Sequence, residues 1–345
     1  MKRPTQVDVA KLAGVSRATV SLVVNGLADG KVPISEETRL RVLKAVEELG
    51  YEPDVRAQTL RSGGTRTIGM IAIDMFNPHH WEFAEGVEQE ARERGYNVLL
   101  FTRSLDPQYI QRMMKDLMGR RIDGLILSGR LIEASEDARN TIPRIQRHRL
   151  PVVEVNDQPP EYTLDCIIAD YRKATEEAMA YLISLGHRRI GMVYGVVEPS
   201  LGLDRLEIYW ETLHHASLPV DEKLIVYCGP TVDDGYQAAL RLLKLPQRPT
   251  AIVAINDLLA IGVLRAAGDQ GLRVPQDLSL IGFDNISLAN YLNPRLTTAT
   301  KNILQIGRDA VRMVLERIED PEKPYQQIYI PARLIIREST GPAPS

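Results

Sequence analysis

Apolar residues recur every three or four positions along the first 50 residues; from Thr67 onward they gather into short unbroken runs separated by longer periodic stretches. The first spacing belongs to helices with one buried face, the second to buried strands between amphipathic helices. Thr5 is positioned to cap a first helix, with Asp8 three residues on as its capping-box partner. Val9, Leu12 and Ala13 would form the buried face, Gly14 would permit a tight turn and Val15 would plug it. Ser16 then caps a second helix through about Asn25, with Val20, Val23 and Val24 inward and Arg17, Ala18, Ser21, Leu22 and Asn25 outward. Pro33 and Ser35 start a third helix, Leu40, Leu43, Val46 and Leu49 supply its stripe, and Gly50 stops it.

Three short helices around one small core, opening with a helix-turn-helix, match a reader of the DNA major groove. A helical cap on the next domain is the plainer alternative. Residues 53–64, PDVRAQTLRSGG, form a link in which Asp54 can cap a short helix ending near Leu60 or Arg61, before Gly63-Gly64. A helix of that length is far below the ~12–15 residues that are stable alone in water, so its order depends on packing against something.

The second pattern begins with TIGMIAID as a strand, WEFAEGVEQEARERGY as a helix and NVLLFTR as a strand. It continues through PQYIQRMMKDLMGRRI, a helix, and the strands DGLILSG, PVVEVND, RIGMVYG, KLIVYCG, TAIVAIN and LSLIGFDN. Near-continuous apolar strands between amphipathic helices predict an α/β fold of parallel sheets covered on both faces. The strands are too many for one sheet domain, so two doubly wound lobes are expected, with a ligand cleft at the C-terminal strand ends.

Composition narrows the class. At 345 residues, 44% hydrophobic and 25% charged, the chain suits two or three globular domains. No apolar run approaches the roughly 18 residues of a membrane span, and the polar N-terminus has no signal-peptide core, which points to the cytoplasm. Cys166 and Cys228 each sit in an apolar strand-like run and read as reduced core residues. The net charge of −3 divides into +3 for residues 1–66 and −6 for the remainder, which confines any polyanion contact to the head.

Enzyme motifs are absent from the sequence. GLADGK resembles a phosphate loop, but only three residues separate Gly26 from Gly30, and Val32 stands where Ser or Thr is needed. There is no G-x-G-x-x-G after a strand, no G-x-S-x-G and no H-E-x-x-H. Adjacent histidines on a helix point about 100° apart and chelate poorly, so His79-His80 and His214-His215 predict no metal site. No cofactor is expected.

Polar residues gather at the strand ends. DMFNPHH follows the first strand, Ser128 the third, Asp157 the fourth and Asp170 a later one; Arg205 lies in a following helix. Asn256-Asp257 and Asp284-Asn285 close two further strands, with Asp257 read as a helix cap and Asn77-Pro78 as a turn. Carboxylates, an amide and a guanidinium around one cleft can hydrogen-bond vicinal hydroxyls in pairs, which is the chemistry of sugar recognition.

The stretches VDVAKLAGVSRATVSLVVNG, SEETRLRVLKAVEELGYEPD, TRTIGMIAIDMFNP, GHRRIGMVYG and RPTAIVAINDLLAIGVLRAAGDQGLRVPQDLSLIGFDN resemble the lactose/galactose-repressor (LacI/GalR) family of transcription factors, up to about Arg337. The resemblance implies a helix-turn-helix head over 1–52, a hinge helix over 53–64 and an effector-binding and dimerisation domain over 65–340. The latter would have the fold of periplasmic sugar-binding proteins, its lobes about 65–168 with 301–328 and about 169–298 with 329–340. It places Ser16, Arg17, Ala18, Thr19, Ser21 and Leu22 on the recognition helix, Thr5 and Asn25 near phosphates, and Leu60 as a wedge between base steps in the minor groove. Effector contacts fall on His79, His80, Ser128, Asp170, Arg205, Asn256 and Asp284. The partners implied are a homodimer mate, a pseudo-palindromic double-stranded operator and a small sugar-like effector, and the function implied is repression of carbohydrate-utilisation genes.

Four departures from the family pattern matter. Leu22 replaces a common Arg and can offer a base only apolar contact. His79-His80 replace the usual paired aromatics, and Ile208 the usual small residue of its stretch. Pro199 and Pro230 stand where the purine-repressor branch uses an Arg and a Phe, which favours a sugar over a purine. A sugar-binding protein without DNA function is the rival class, and it leaves the head unexplained; a regulator that does not respond to a sugar is the other alternative.

Overall fold

The computed structural model describes residues 4–24, 34–51, 64–72, 75–102, 122–129, 147–160, 163–196 and 203–344, together with Gly119 and Ile145. Chain contacts divide it into two compact units, Met1–Thr65 and Arg66–Ser345. Asn25, the loop after it, Leu60 and nearly all of the 53–64 link lie outside the described residues, as do the segment expected to be helical from 107 and Pro199.

In the first unit, α1 (Gln6–Ala13), α2 (Arg17–Val24) and α3 (Glu36–Leu49) form where the sequence places them. Thr5 caps α1 through a complete capping box with Asp8, and Gly14 ends it in the left-handed region at φ 68°. Ser16 Oγ accepts the Thr19 N–H at 3.1 Å at the start of α2. Ser35 accepts the Thr38 N–H at 3.3 Å, and Gly50 ends α3 at φ 58°. Val9, Ala10, Ala13, Val20, Val23, Val42, Ala45 and Tyr51 form the core.

Three leucines expected inside are instead exposed: Leu12 (48%), Leu40 (58%) and Leu43 (42%). The reason is helical phase. Val42 and Ala45, with the half-buried Val46 and Leu49, set the inner face of α3, and Leu40 lies about 200° around the helix from Val42. Ala10 and Ala13 occupy the contact side of α1, leaving Leu12 to one flank.

The second unit opens with β1 (Thr67–Ala72), α4 (Pro78–Glu93), β2 (Asn97–Thr102), β3 (Gly124–Ser128), β4 (Val152–Asn156) and β5 (Asp165–Asp170). There follow α5 (Arg172–Ser184), β6 (Ile190–Gly195), α6 (Leu203–His215), β7 (Ile225–Cys228), α7 (Val232–Leu243), β8 (Ala251–Ala254), α8 (Asp257–Asp269) and β9 (Ser279–Ile281). The chain closes with β10 (Thr298–Thr300), α9 (Ile303–Glu319), β11 (Gln327–Pro331) and β12 (Arg333–Ile335). Strands β11-β5-β4-β3-β1-β2 form one sheet and β7-β6-β8-β9 another, with all pairs in both parallel. A short antiparallel pair, β10 with β12, runs separately.

Each sheet has its own core. Apolar residues from β1, β3, β4 and β5 pack with α4 and α9 on one face of the larger sheet, and Leu125, Leu127, Cys166 and Ile168 face the other side. The smaller sheet is buried among α5, α6, α7 and α8. Both cysteines are free, and no helix among the described residues is long and apolar enough to cross a membrane.

Helices α4 and α9 approach backbone to backbone. A Cβ on Gly86 would collide with the Leu304 carbonyl, and one on Gly307 with the Phe83 carbonyl. Beside that contact Glu90, almost fully buried, accepts hydrogen bonds from Arg308 (3.1 Å) and Arg312 (2.9 and 3.0 Å). Gly307→Val should therefore lower the unfolding free energy of the unit by about 2–4 kcal/mol, read as a shift in urea midpoint at unchanged m.

At the far end of the smaller sheet, His187 is fully buried, with Nδ1 2.9 Å from Thr250 Oγ1 and Nε2 3.0 Å from both Ser279 Oγ and the Gly341 carbonyl. Burial lowers its pKa, so the folded chain takes up this proton at lower pH than the unfolded chain, whose imidazole protonates near 6.5. Stability should consequently fall as pH drops through 6.5. Denaturation of wild type and His187→Asn at pH 7.5 and 5.5 checks this: the acid-linked fall should be smaller in the variant.

Candidate functional site

The C-terminal ends of the parallel strands open on a cleft between the two sheets, about 900 Å³ including its open mouth. Parallel strands bring this about because every strand end, and every loop that follows one, faces the same way. From the larger sheet's side come Asn77, His79, His80, Ser128, Asn156 and Asp157; from the smaller sheet's side come Gly195, Arg205, Pro230, Asn256 and Asp284. Tyr171 and Lys301, on segments that pass between the sheets, also line it, as does the half-exposed Phe76.

Six of the seven effector residues expected from the sequence meet here: His79, His80, Ser128, Arg205, Asn256 and Asp284. Asp170 is not among the lining residues. Its Oδ1 accepts the Arg172 N–H at 2.8 Å as α5 begins, and the alternation of strand side chains turns Ala169 and Tyr171, rather than Asp170, into the cleft. Two local readings also change. Asn77 caps α4 by accepting the His79 N–H at 3.0 Å, with Pro78 at the first helical position, so it is more than a turn residue. The cap of α8 is Asn256, whose Oδ1 accepts the Leu259 N–H at 2.8 Å; Asp257, fully buried, points inward.

Asp284 is the centre of the site. Its Oδ2 accepts from Asn77 Nδ2 at 3.1 Å, its Oδ1 accepts from the Tyr171 hydroxyl at 2.9 Å, and His79 Nδ1 lies 3.9 Å away. The Asn77 bond joins the two sides of the cleft directly, and so does the approach of Arg205 Nη2 to Asp157 Oδ2 at 3.6 Å. The Arg205 guanidinium also lies over the rings of Tyr171 (4.7 Å) and Phe283 (5.9 Å), and the Lys301 ammonium sits 4.1 Å from the Tyr171 centroid.

Burial, reinforced by the Lys301 and Arg205 charges, holds His79 well below the usual imidazole range. Burial and His79 push His80 down to about 3. Both rings are neutral at physiological pH, so His79 and Asp284 form no ion pair. Burial and the Asp284 charge raise the Tyr171 pKa, which keeps its hydroxyl protonated and donating. Two cations then face two carboxylates, Asp157 and Asp284, among the described lining residues. That balance suits an uncharged ligand rich in hydroxyls. His, Cys, Asp and Glu form no cluster that could hold a metal ion among the described residues.

Sequence reasoning missed Tyr171 and Lys301. Both follow strands, β5 and β10, and the strand-end criterion that selected Ser128 and Asp284 applies to them equally.

In the first unit, Ser16, Arg17 and Ala18 are exposed on α2, and Thr19, Ser21 and Leu22 are half-buried beside them. Arg17 Nε is 3.4 Å from Gln6 Oε1, a weak tether that leaves the guanidinium at the surface. Thr5 keeps its hydroxyl in the capping box, donating to Asp8 Oδ2 at 2.7 Å.

Residues 5–54 match the family model of bacterial regulatory proteins of the lacI family, and residues 179–340 match that of the periplasmic binding protein-like domain. The chain is 33% identical over 340 residues to the HTH-type transcriptional regulator DegA of Bacillus subtilis, covering 99% of each chain. Among solved structures it is similar to the lac repressor dimer bound to operator and the anti-inducer ONPF (TM-score 0.84, 26% identity, 99% of this chain and 100% of that one). It is likewise similar to a complex of the transcriptional regulator CelR with cellobiose (TM-score 0.70, 28% identity, 98% and 100%). These relatives are transcriptional regulators rather than enzymes, and the chain belongs to the lacI family of bacterial regulatory proteins.

Proposed function

We propose that this regulator represses carbohydrate-utilisation genes in the cytoplasm and that a small neutral sugar, seated in the cleft, releases it from its operator. The observation that carries the reading is the cleft itself, where Asp284, Arg205, Asp157 and Lys301 balance in charge around two neutral histidines. Carboxylate and guanidinium pairs suit vicinal hydroxyls, and the charges of the described lining residues leave no excess to demand an ionic ligand.

In this reading Arg205 and Asp284 bind hydroxyls, with His79, His80, Ser128 and the amide nitrogen of Asn256 around them. The head reads a half-site through Ser16, Arg17, Ala18, Thr19, Ser21 and Leu22, with Thr5 and Asn25 at phosphates and Leu60 as a minor-groove wedge. One head spans only a half-site, so a homodimer binds a pseudo-palindrome. A sugar that favours another arrangement of the lobes lowers operator affinity by its differential affinity for the two.

Operator binding should weaken steeply with salt as counterions are released. Arg17→Ala should cost about 1–3 kcal/mol and relax preference at one base position. Footprinting on the chain's own promoter and on carbohydrate operons, followed by binding to base-substituted sites, measures both. A loss spread evenly over all sequences would reassign Arg17 to a phosphate.

Calorimetry against a panel of mono- and disaccharides tests the cleft. Asp284→Ala and Arg205→Ala should each abolish the response to sugar while leaving operator binding intact. Because both histidines are already neutral, affinity should stay flat between pH 6 and 8; protonation would begin to oppose binding only well below that window. Tight binding of a purine or an amino acid with no sugar bound would overturn the ligand class.

A further inference from the structure

Asp284 enters the cleft from a backbone conformation that L-residues avoid, φ 103°, and Asn285 follows at φ 54°. Two such residues in succession persist only when their surroundings hold them. The groups that do so lie behind the cleft. Asp257, at the start of α8, accepts the Ile286 N–H on Oδ2 at 2.9 Å, and the Thr298 hydroxyl donates to its Oδ1 at 2.6 Å. Thr298 Oγ1 in turn accepts the Asn285 N–H at 3.2 Å. Arg337 donates to Asn285 Oδ1 at 2.6 Å and to the Leu296 carbonyl at 2.7 Å, and the Asp284 N–H reaches the Ala299 carbonyl at 3.0 Å. A Cβ at Gly282 would collide with the Asp257 carboxylate, so the turn has no room to settle toward it.

We propose that Asp257, acting with Thr298, is a positioning residue of the effector site: it holds the Asn285–Ile286 turn so that the Asp284 carboxylate stands in the cleft. This rests on the reading of the cleft as the sugar site. Asp257 is fully buried and does not line the cleft, so it acts on a ligand indirectly, chiefly through the Asp284 turn that it holds. Without it, the Ile286 N–H loses its acceptor, the turn relaxes toward negative φ, and the carboxylate swings away from Asn77 and Tyr171. Burial and the neighbouring Asp284 charge raise the Asp257 pKa well above the usual carboxylate range. Asn at 257 has the same shape and keeps an acceptor for the Ile286 N–H, while its amide N–H meets Thr298 Oγ1, which then accepts where it had donated.

The full-length chain and five variants are titrated calorimetrically with cellobiose, D-glucose and D-ribose. For whichever sugar binds the wild type, Asp257→Ala and Thr298→Val should weaken affinity about tenfold or more, while Asp257→Asn and Thr298→Ser stay within about threefold. Leu242→Ala, a core truncation elsewhere in the same unit, should lower Tm yet leave affinity within about threefold. Wild-type affinity in Asp257→Ala, or an equal loss in Leu242→Ala, overturns the proposal. If none of the sugars binds the wild type, it is the ligand class that fails, and the clamp is judged by hydrogen exchange at residues 284–286. Exchange there should quicken about tenfold in Asp257→Ala and Thr298→Val but not in Leu242→Ala, and unchanged protection in the first two would refute it.

Discussion

The Asp284 carboxylate accepts one hydrogen bond from Asn77, which caps a helix on the larger sheet, and another from Tyr171, on a segment running between the sheets. A single side chain thus fixes one wall of the cleft against the other. Its charge is not diluted by the histidines, which burial keeps neutral, and Arg205 and Lys301 line the same cleft as its counter-charges. The rest of the larger unit serves this arrangement. Parallel strands bring their C-terminal ends to one side, helices cover both faces, and glycines at the α4–α9 contact let backbones meet where side chains would hold them apart.

In the proposed reading, a ligand that bonds to Asp284 or Arg205 competes with contacts that the protein makes with itself. Asn77–Asp284 and Asp157–Arg205 already bridge the two sides, so a bound hydroxyl gains only what it adds beyond them. This couples recognition to geometry, because a molecule that fits between the walls stabilises one spacing of the lobes at the expense of others. The coupling free energy is bounded by that difference in fit and not by total affinity.

The head follows a different economy. Its core comprises a few valines and alanines with one tyrosine, and its helices are eight, eight and fourteen residues long. So small a core leaves little margin, and local devices carry a large share of the order: the Thr5–Asp8 capping box, the Ser16 and Ser35 caps and the left-handed Gly14 and Gly50. These devices also orient the short second helix, on which Ser16, Arg17 and Ala18 stand exposed.

Local chemistry, which acts over a few residues, was legible in the sequence. The caps and glycine stops of the head, the alternation of apolar strands with amphipathic helices, and the gathering of polar residues at strand ends all follow from spacing and residue type. Long-range geometry was not. Whether Leu12, Leu40 and Leu43 lie inside depends on the rotation of each helix against its neighbours, and the alanines of α1 and the Val42–Ala45 face of α3 settled that rotation. Whether Asp170 or Tyr171 faces the cleft depends on the phase of β5 within its sheet. The role of Asp257 depends on Ile286 and Thr298, which lie 29 and 41 residues away along the chain and come together only when α8, the Asp284 turn and β10 pack. Sequence spacing specifies which residues can pair within a helix or a turn; contacts between elements are chosen by packing, and only the folded chain makes that choice.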